Sequence, residues 1–419
     1  MTGKTILISG ASIAGPALAY WLRRHGFRPT IVERACAPRP GGQAVDIRGV
    51  AIDVVERMGL LDEIRANDTA MRGMSYVDEN GKRIAALDAA FGVVDERDVE
   101  ISRGALTDIL HRATRDDVEY VFDDSITAIA EDADGVLVRF EHGAPRRFDL
   151  VLGADGLHSN VRSTVFGDES QFIKHLGLYL AIFSLPNTTG IDHWQHIHAT
   201  PGRIATLTSS RERDQARAVF FFASDPLAYD HRDTATQQRL LTEKFAGVGW
   251  EVPRLLAAMA DAPDFYFDSC SQIRMERLYR GRVALVGDAG YGASALSGQG
   301  TSLALVGAYV LAGELAAAHG EHEVAFARYD ERMREFIRAN QELAIGNAER
   351  FAPTTKNAIR MQNISLRMLR YLPWKGLIMK MMTRGVAEAA NAIAIPDYAS
   401  PCAASPRATA PAEMVRTTR

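Results

Sequence analysis

A glycine-rich turn near the start of the chain carries residues suited to binding phosphate. It reads Gly10-Ala11-Ser12-Ile13-Ala14-Gly15, and Glu33 follows 18 residues after Gly15. Backbone N–H groups at the start of a helix attract phosphate oxygens, because the helix dipole places partial positive charge there. A carboxylate at Glu33 can accept hydrogen bonds from both hydroxyls of a ribose. The spacing therefore predicts a bound adenine dinucleotide.

The surrounding elements form a βαβ unit that positions this turn. Lys4–Ser9 and Thr30–Val32 are apolar and β-branched, as expected for buried strands. Between them, Pro16–Gly26 is predicted to be helical. In this unit Gly10 makes the tight turn after the first strand, and Gly15 lets the helix pack close to the sheet.

One position departs from the usual three-glycine pattern, because Ser12 occupies the middle site. A side chain there narrows the approach of the backbone to a phosphate, although the hydroxyl can itself donate to the phosphate. A glycine-rich turn alone would also suit an ordinary strand-to-helix connection. The preceding strand, the following helix and the acid at the expected distance favour the nucleotide site.

Composition and charge narrow the class of protein. The 419 residues are 47% hydrophobic and 24% charged, as expected for a globular chain of two domains or one with an insertion. A net charge of -4 gives no reason to expect nucleic acid or an anionic membrane as a partner. The three cysteines are scattered without CxxC spacing, which argues for a reducing compartment and against a zinc site. With no predicted signal peptide and no charge-free apolar run of membrane-spanning length, a cytoplasmic location is expected.

Two further motifs follow predicted buried strands. Asp155-Gly156 begins a run that ends at Arg162, and Gly287-Asp288 is followed by Leu296-Ser297-Gly298-Gln299-Gly300 and a helix. With the first turn, they resemble the FAD-dependent aromatic monooxygenases of the para-hydroxybenzoate hydroxylase type. The closest likeness is to the compact branch that includes the tetracycline-inactivating monooxygenases. The resemblance covers roughly Thr5 to Ala317.

The resemblance implies a set of FAD contacts. Asp288 would accept a hydroxyl of the ribityl chain, and the helix near Gly300 would point its N-terminus at the pyrimidine end of the flavin. Asp155-Gly156 would serve both FAD and NAD(P)H, with Arg162 as a nearby support. The full set of cofactor-binding candidates joins the three motifs to three arginines: Gly10, Ser12, Ile13, Ala14, Gly15, Glu33, Arg34, Arg48, Arg103, Asp155, Gly156, Asp288, Gly298, Gln299 and Gly300.

Each of these assignments has a plainer alternative. Asp155-Gly156 could be an ordinary turn, and Asp288 a solvated strand end. Arg103, where the resemblance implies a contact with the FAD diphosphate, could be a solvated arginine at a helix start. Arg48 is assigned to the flavin or a visiting nicotinamide, with a surface role as the alternative.

The segment between Asp288 and Gly298 departs from the family. Tyr291 takes the position of the usual histidine, and Ser294-Ala295 replace two prolines. Proline pre-sets the backbone, so its loss loosens a segment that the family places where the reduced flavin meets substrate. These substitutions leave epoxidation, oxidative cyclisation and dehydrogenation open as alternatives to hydroxylation.

The expected fold class is α/β: a Rossmann-like FAD-binding domain, an inserted, mostly antiparallel substrate sheet and C-terminal helices. The predicted ranges are 1–170 and 276–320 for the FAD-binding domain and 171–275 for the insertion. Helices follow over 321–395, with a break at Pro373, and a flexible tail over 396–419.

The insertion offers candidates for the edge of a substrate pocket. They are aromatic or histidine residues in β-like runs, with one position from the altered segment: Tyr179, Trp194, His196, Phe222 and Ala295. Core packing is the alternative for the aromatic residues, since rings in strands commonly fill a core. No metal site and no general base can be assigned.

The resemblance implies a reaction in two halves. NADPH or NADH, bound only transiently, would reduce FAD, and the reduced flavin would take up O₂ as a C4a-hydroperoxide. That species would deliver one oxygen atom to a phenolic, polyketide or indole-like aromatic molecule. From a different class, a flavin-binding redox sensor without turnover stays possible. The sequence carries no signal for the oligomeric state.

Overall fold

The computed structural model describes residues 3–38, 41–88, 95–369 and 375–398. The first of its two large sheets has six strands in the order β17-β18-β11-β1-β2-β7. All neighbouring pairs are parallel except β17 with β18. The strands are β1 (Thr5–Ser9), β2 (Arg28–Glu33), β7 (Glu119–Phe122), β11 (Leu150–Gly153), β17 (Tyr279–Arg280) and β18 (Val283–Leu285). This parallel sheet confirms the predicted dinucleotide-binding architecture.

Helices cover this sheet because its strands are apolar on both faces. Helix α1 (Ala14–Arg24) connects β1 to β2 and packs against α9 (Gly300–Ala317), which is buried over almost its whole length. By length and composition α9 could cross a membrane, but 83% of it is buried inside the protein, as in the core helix of a globular domain. The long helix α10 (His322–Phe351) packs against α9.

The second large sheet has seven strands in the order β16-β12-β15-β14-β13-β4-β5. Five of them come from the predicted insertion and pair antiparallel: β12 (Ile173–Pro186), β13 (Trp194–Thr200), β14 (Arg203–Ser209), β15 (Gln215–Ala223) and β16 (Tyr266–Ile273). The hairpin of β4 (Gly73–Val77) and β5 (Arg83–Asp88) extends this sheet, with β4 parallel to β13. The sheet is therefore built from two separate parts of the chain, and residues 73–88 do not belong structurally to the first sheet.

The two faces of the seven-stranded sheet bury different clusters. One face packs Phe183, Phe220 and Phe222 against helices α6 (Thr234–Lys244) and α7 (Val252–Ala258). The other packs Leu180 and Ile197 against Leu296, which belongs to the loop before α9. We call this second side the site-side face, because it turns toward the FAD-binding domain.

Smaller elements complete the described chain. Two short sheets contain β3 (Ala44–Ile47) with β6 (Val99–Ser102), and β8 (Ile126–Asp132) with β9 (Gly135–Phe140) and β10 (Arg146–Phe148). The remaining helices are α2 (Val50–Arg57), α3 (Leu61–Ala66), α4 (Arg103–Arg112), α5 (Asn160–Val165), α8 (Asp288–Tyr291), α11 (Lys356–Leu369) and α12 (Lys375–Ala390).

The start of the predicted flexible tail is packed. The carbonyl of Pro396 accepts hydrogen bonds from Arg57 and Tyr309, and the Tyr398 hydroxyl donates to Glu314. These residues were assigned to the tail from composition alone, which does not register such contacts. Pro373 and residues 399–419 lie outside the described residues.

Candidate functional site

The glycine-rich turn is closed so tightly that only glycine fits at its two ends. Gly10 has φ +107°, and a Cβ there would lie 2.4 Å from the carbonyl oxygen of Ala154. A Cβ on Gly15 would lie 1.9 Å from the carbonyl oxygen of Gly10. Both predicted roles hold: Gly10 makes the turn, and Gly15 allows α1 to approach it. Ile13 and Ala14 begin the helix, so their backbone lies at its positive end.

Glu33 lies beside this turn at the end of β2. Its carboxylate accepts hydrogen bonds from the backbone N–H groups of Ala11 at 2.8 Å and Ala35 at 3.0 Å. It lines a small cavity whose other walls are Ala11, Ser12, Ala35, Ala37, Pro38, Arg103 and Thr107. A ribose hydroxyl donating to Glu33 would enter this cavity. Arg34 is exposed and is not among the lining residues.

Arg103 lies next to Ser12, the serine that replaces the middle glycine. Its guanidinium donates to the Ser12 hydroxyl oxygen at 3.2 Å, from the first residue of α4. The absence of a side chain at Gly42 makes room for it, since a Cβ there would lie 2.5 Å from Arg103 Nε. The turn therefore presents a guanidinium next to Ser12 where a diphosphate would lie, in line with the predicted contact.

Asp155 stabilises the turn in which it lies. Its carboxylate accepts hydrogen bonds from the Ser159 hydroxyl at 2.5 Å and the Val161 N–H at 3.0 Å. Burial raises the pKa of Asp155, and these hydrogen bonds oppose the rise. Gly156, at φ +83°, has open space where its Cβ would be. The open side of Gly156 leaves this turn accessible to a ligand.

Arg162 supports the same turn from beneath. It is fully buried and donates to the carbonyls of Ala289 and Leu157 and to the carboxylate of Glu169. The contact with Ala289 ties the Asp155 turn to the segment that follows Asp288. Arg162 is thus a structural link between two of the three motifs.

The third motif surrounds the N-terminus of α9. Gln299 precedes the helix and is fully buried, yet neither its amide oxygen nor its amide nitrogen has a hydrogen-bond partner among the described residues. Asp288 is exposed, yet the protein atoms packed around its carboxylate raise its pKa, with a smaller contribution from the negative charge of Asp268. A buried unpaired amide and an exposed carboxylate with a raised pKa indicate a site built for a polar ligand.

Asp46 and Arg48 lie against this motif. They form an ion pair at 2.9 Å, and the Arg48 N–H donates to the Ser302 hydroxyl in the first turn of α9. Asp46 lies 3.7 Å from the place of a Cβ on Gly298, which has a left-handed backbone at φ +63°. Arg48 therefore lies beside the third motif, together with Asp46, which sequence patterns did not single out.

Tyr291 does not enter the site. Its ring is buried in the main core, and its hydroxyl lies 3.1 Å from that of Tyr329 on α10. A Cβ on Gly307 of α9 would overlap the Tyr291 hydroxyl. The tyrosine at the usual histidine position is therefore a packing residue, whereas Ala295 is exposed beside Leu296.

Four of the five predicted substrate-pocket residues lie on the face of the sheet that packs against α6 and α7, opposite the site-side face. Tyr179 stacks on Phe222 at 5.4 Å between ring centroids, within the cluster that packs against α6 and α7. Trp194 and His196 have the same orientation along β13 as members of that cluster. Successive side chains of a strand point to opposite faces of the sheet. Choosing a residue one position away from a pocket-facing one therefore places the prediction on the opposite face.

Their neighbours line the site-side face instead. Leu180, Phe221 and Ile204 lie opposite one another across three strands, and Ile197 lies opposite Tyr76. Polar groups interrupt this apolar surface: the Thr206 hydroxyl and the Arg217 Nε are buried without a hydrogen-bond partner among the described residues. The alternation of Arg217, Val219 and Phe221 in β15 was the available signal for this face.

Comparisons with known proteins decide the family. The sequence matches the family described as FAD binding domain over residues 4–344. It is 44% identical over 349 residues to a flavin-dependent monooxygenase from an unknown prokaryotic organism, covering 83% of this chain and 90% of that protein. The protein belongs to the FAD-dependent aromatic monooxygenases. A flavin-dependent monooxygenase of Legionella longbeachae is 42% identical over 347 residues, covering 83% and 89% of the two chains.

Solved structures confirm the fold of this monooxygenase. The crystal structure of tetracycline destructase Tet(55) superimposes with a TM-score of 0.82 at 39% identity, covering 95% of this chain and 99% of that chain. That of p-nitrophenol 4-monooxygenase from Pseudomonas putida superimposes with a TM-score of 0.70 at 19% identity, covering 94% and 100%, and shares the fold.

The residues of the monooxygenase fit FAD. Glu33 and Arg103 suit an adenosine ribose and a diphosphate, and Asp288 suits the ribityl hydroxyls. The unpaired Gln299 amide and the start of α9 suit the polar edge of the flavin. Bound there, FAD supplies the redox chemistry and the activation of O₂, which no protein side chain provides.

A charged cluster beside the Asp155 turn was not evident from the sequence. His158 places Nδ1 2.8 Å from Glu169 and Nε2 3.1 Å from Asp268. Its ring centroid lies 3.8 Å from that of His231, with the two ring planes tilted by 40°. Atoms of His158, Glu169 and His231 lie close enough together to share a metal ion. However, both nitrogens of His158 already lie at hydrogen-bond distance from carboxylates. Hydrogen bonding accounts for this cluster.

The cluster makes stability depend on pH. Burial lowers the pKa of His158, but hydrogen bonds to Asp268 and Glu169 outweigh it and raise the pKa to about 9. Protonated His158 therefore stabilises the fold fully below the unfolded pKa of about 6.5, and the contribution is lost as pH rises through about 9.

We expect His158→Gln to lower the melting temperature of the FAD-loaded enzyme at neutral pH. The difference in melting temperature between the variant and the wild type should shrink at alkaline pH. A difference that does not depend on pH would contradict a stabilising role for protonated His158.

Proposed function

We propose that this enzyme uses NAD(P)H and O₂ to insert one oxygen atom into an aromatic small molecule, with tetracycline-like polycyclic polyketides as the first candidates. One observation carries the proposal: Leu296, three residues before the unpaired Gln299, packs into the apolar site-side face. The place for the flavin and the surface for an apolar substrate are therefore adjacent. A sensor that only binds FAD does not need such an apolar wall next to the flavin.

The site-side face suits a large, flat substrate that carries several oxygens. Tyr76, Leu180, Ile197 and Phe221 provide apolar surface, and the Arg217 Nε and the Thr206 hydroxyl are buried polar groups without a hydrogen-bond partner among the described residues. Another nitrogen of the Arg217 guanidinium donates to the Ser184 hydroxyl at 3.4 Å. Ligand sites commonly combine an apolar lining with a few polar groups that set orientation. The similarity to tetracycline destructase Tet(55) over 95% of the chain supports this class of substrate.

The chain itself holds and orients the reactants. Arg103 and the start of α1 would hold the diphosphate of FAD, Asp288 would hold its ribityl chain, and the start of α9 would place its positive end at the polar edge of the flavin. The apolar wall excludes water from the reacting atoms. NAD(P)H approaches as a visitor, in keeping with a single glycine-rich βα turn in the sequence.

Isotope incorporation tests the proposal. The FAD-loaded enzyme is mixed with NADPH or NADH and tetracycline under ¹⁸O₂, and the product is examined by mass spectrometry. We expect tetracycline to accelerate NAD(P)H oxidation and one ¹⁸O atom to appear in the product. Product without ¹⁸O would indicate dehydrogenation or oxidative cyclisation. No acceleration by any compound of an aromatic panel would contradict the proposal in favour of a sensor.

Arg217 is expected to contribute to substrate binding. Hydrogen bonds to a charged group contribute about 1.5–3 kcal/mol, so Arg217→Ala should raise KM for an oxygen-rich substrate by about 10- to 100-fold. FAD affinity should not change. Arg203→Ala is the matched control, because Arg203 lies in the same sheet, opposite Phe222 on the other face. Equal effects of the two substitutions on KM would contradict the role of Arg217.

A further inference from the structure

Exposed apolar side chains concentrate in two consecutive helices near the C-terminal end. Among the described residues, eight large apolar side chains are exposed, and five of them lie in α11 and α12. Their exposed fractions run from 45% to 70%: Met361, Ile364, Met368, Met381 and Met382. Clustered exposure of this kind marks an interaction surface, whereas scattered exposed residues do not.

Helix α11 has two apolar faces. Ile359 and Leu366, seven residues apart, are half-buried on the side that packs toward β5, where Arg367 Nε donates to the Ile84 carbonyl at 2.7 Å. Met361 and Met368 are also seven residues apart, and they lie roughly 200° around the helix from the first pair, at about 100° per residue. Ile364 falls next to them. Packing on the sheet accounts for the first face and leaves the second uncovered.

Basic residues outnumber acidic residues in both helices. Helix α11 contains Lys356, Arg360 and Arg367 and no acid, while α12 contains Lys375, Lys380, Arg384 and a single acid, Glu388. Six basic residues against one acidic residue contrast with a whole-chain net charge of -4. The average over the chain, which gave no reason to expect an anionic partner, conceals this local excess.

We propose that α11 and α12 rest on an anionic lipid membrane. Interfacial helices combine an apolar face with lysine and arginine, so that apolar groups enter the acyl boundary while the cations meet anionic headgroups. A second copy of the chain is a poorer occupant, because a two-fold interface would bring the same positive charges together. The membrane contact does not depend on which substrate the enzyme oxidises.

Vesicle sedimentation with the FAD-loaded, full-length enzyme tests this contact. We expect binding to phosphatidylcholine vesicles that contain phosphatidylglycerol, at least tenfold weaker binding to phosphatidylcholine alone, and release by salt. Each lysine or arginine near an anionic surface contributes about 1 kcal/mol, so Arg360→Gln and Lys380→Gln should each weaken binding about fivefold. The double variant Met361→Gln and Met368→Gln should weaken vesicle binding more than either of these single charge substitutions.

A matched control and a second measurement keep the proposal falsifiable. Val324→Gln alters an exposed apolar residue on α10 and should bind vesicles like the wild type. Flavin absorbance confirms that each variant is folded and loaded. Equal sedimentation with and without the anionic lipid, or none with either, would overturn the proposal. So would a dimer in light scattering that the Met361 and Met368 substitutions abolish, because the surface would then be an interface between copies.

Discussion

Replacing Asp288 with alanine is expected to raise the dissociation constant for FAD by about 10- to 100-fold, the loss typical of one hydrogen bond to a charged group. The carboxylate faces the cleft at the start of α8, near Gly300, where a ribityl hydroxyl would donate to it. No hydrogen bond within the described protein engages Asp288, so truncating it removes no internal contact. The loss of the Asp288 carboxylate should therefore lower the affinity for FAD without lowering the stability of the fold.

Titration of the apoprotein with FAD, followed by flavin fluorescence, measures this effect. Asp288→Asn should fall between alanine and the wild type, since an amide oxygen still accepts a hydrogen bond but carries no charge. Asp116→Ala is the control, because the Asp116 side chain is 90% exposed, far more open than the cleft. Unchanged FAD affinity in Asp288→Ala would remove this residue from the cofactor site.

Phe221 and Phe222 are expected to respond in opposite ways to truncation. Phe222 is fully buried between Tyr179 and Phe245, so Phe222→Ala should lower the free energy of unfolding by about 3–5 kcal/mol. Turnover per folded molecule should change little. Phe221 is half-buried on the site-side face beside Phe351, so Phe221→Ala should chiefly raise KM for an aromatic substrate.

Denaturant unfolding of both variants, combined with steady-state kinetics, separates the two roles. Adjacent residues of one strand are a matched pair, because strand propensity and distance from the cofactor are nearly the same. The face assignment would be wrong if Phe222→Ala impaired substrate binding while Phe221→Ala destabilised the fold. Similar loss of stability in both would show that the site-side face is core and not a pocket wall.

Local patterns predicted the nucleotide half of the site well. The turn from Gly10 to Gly15, the acid Glu33 and the flanking strands lie within one continuous stretch, and their geometry follows from glycine conformation and helix polarity. The structure places them as expected, and Arg103, a candidate from the family resemblance, lies beside Ser12. The Asn80-Gly81 turn of the hairpin of β4 and β5 is likewise a local signal, because Asn-Gly favours a tight hairpin turn.

Long-range relations were predicted less well. The partner of that hairpin is β13, more than 100 residues away, and no local signal specifies such a pairing. Four pocket candidates lie on the face that packs against α6 and α7. In β15, for example, three consecutive phenylalanines place rings on both faces, so hydrophobicity does not show which ring lies on the side of Leu296. Tyr291 was placed near the reacting atoms from its position in a motif, whereas packing against Gly307 turns it into the core.

The sequence by itself determined the cofactor class and the family, because short-range spacing dictates the backbone shape that binds a dinucleotide. Only the tertiary structure decided which sheet face packs against Leu296, that His158 lies between two carboxylates, and that α11 leaves an apolar face uncovered. The physical reason is the same in each case. Burial and charge pairing depend on which distant segments meet, and that is a property of the folded chain as a whole.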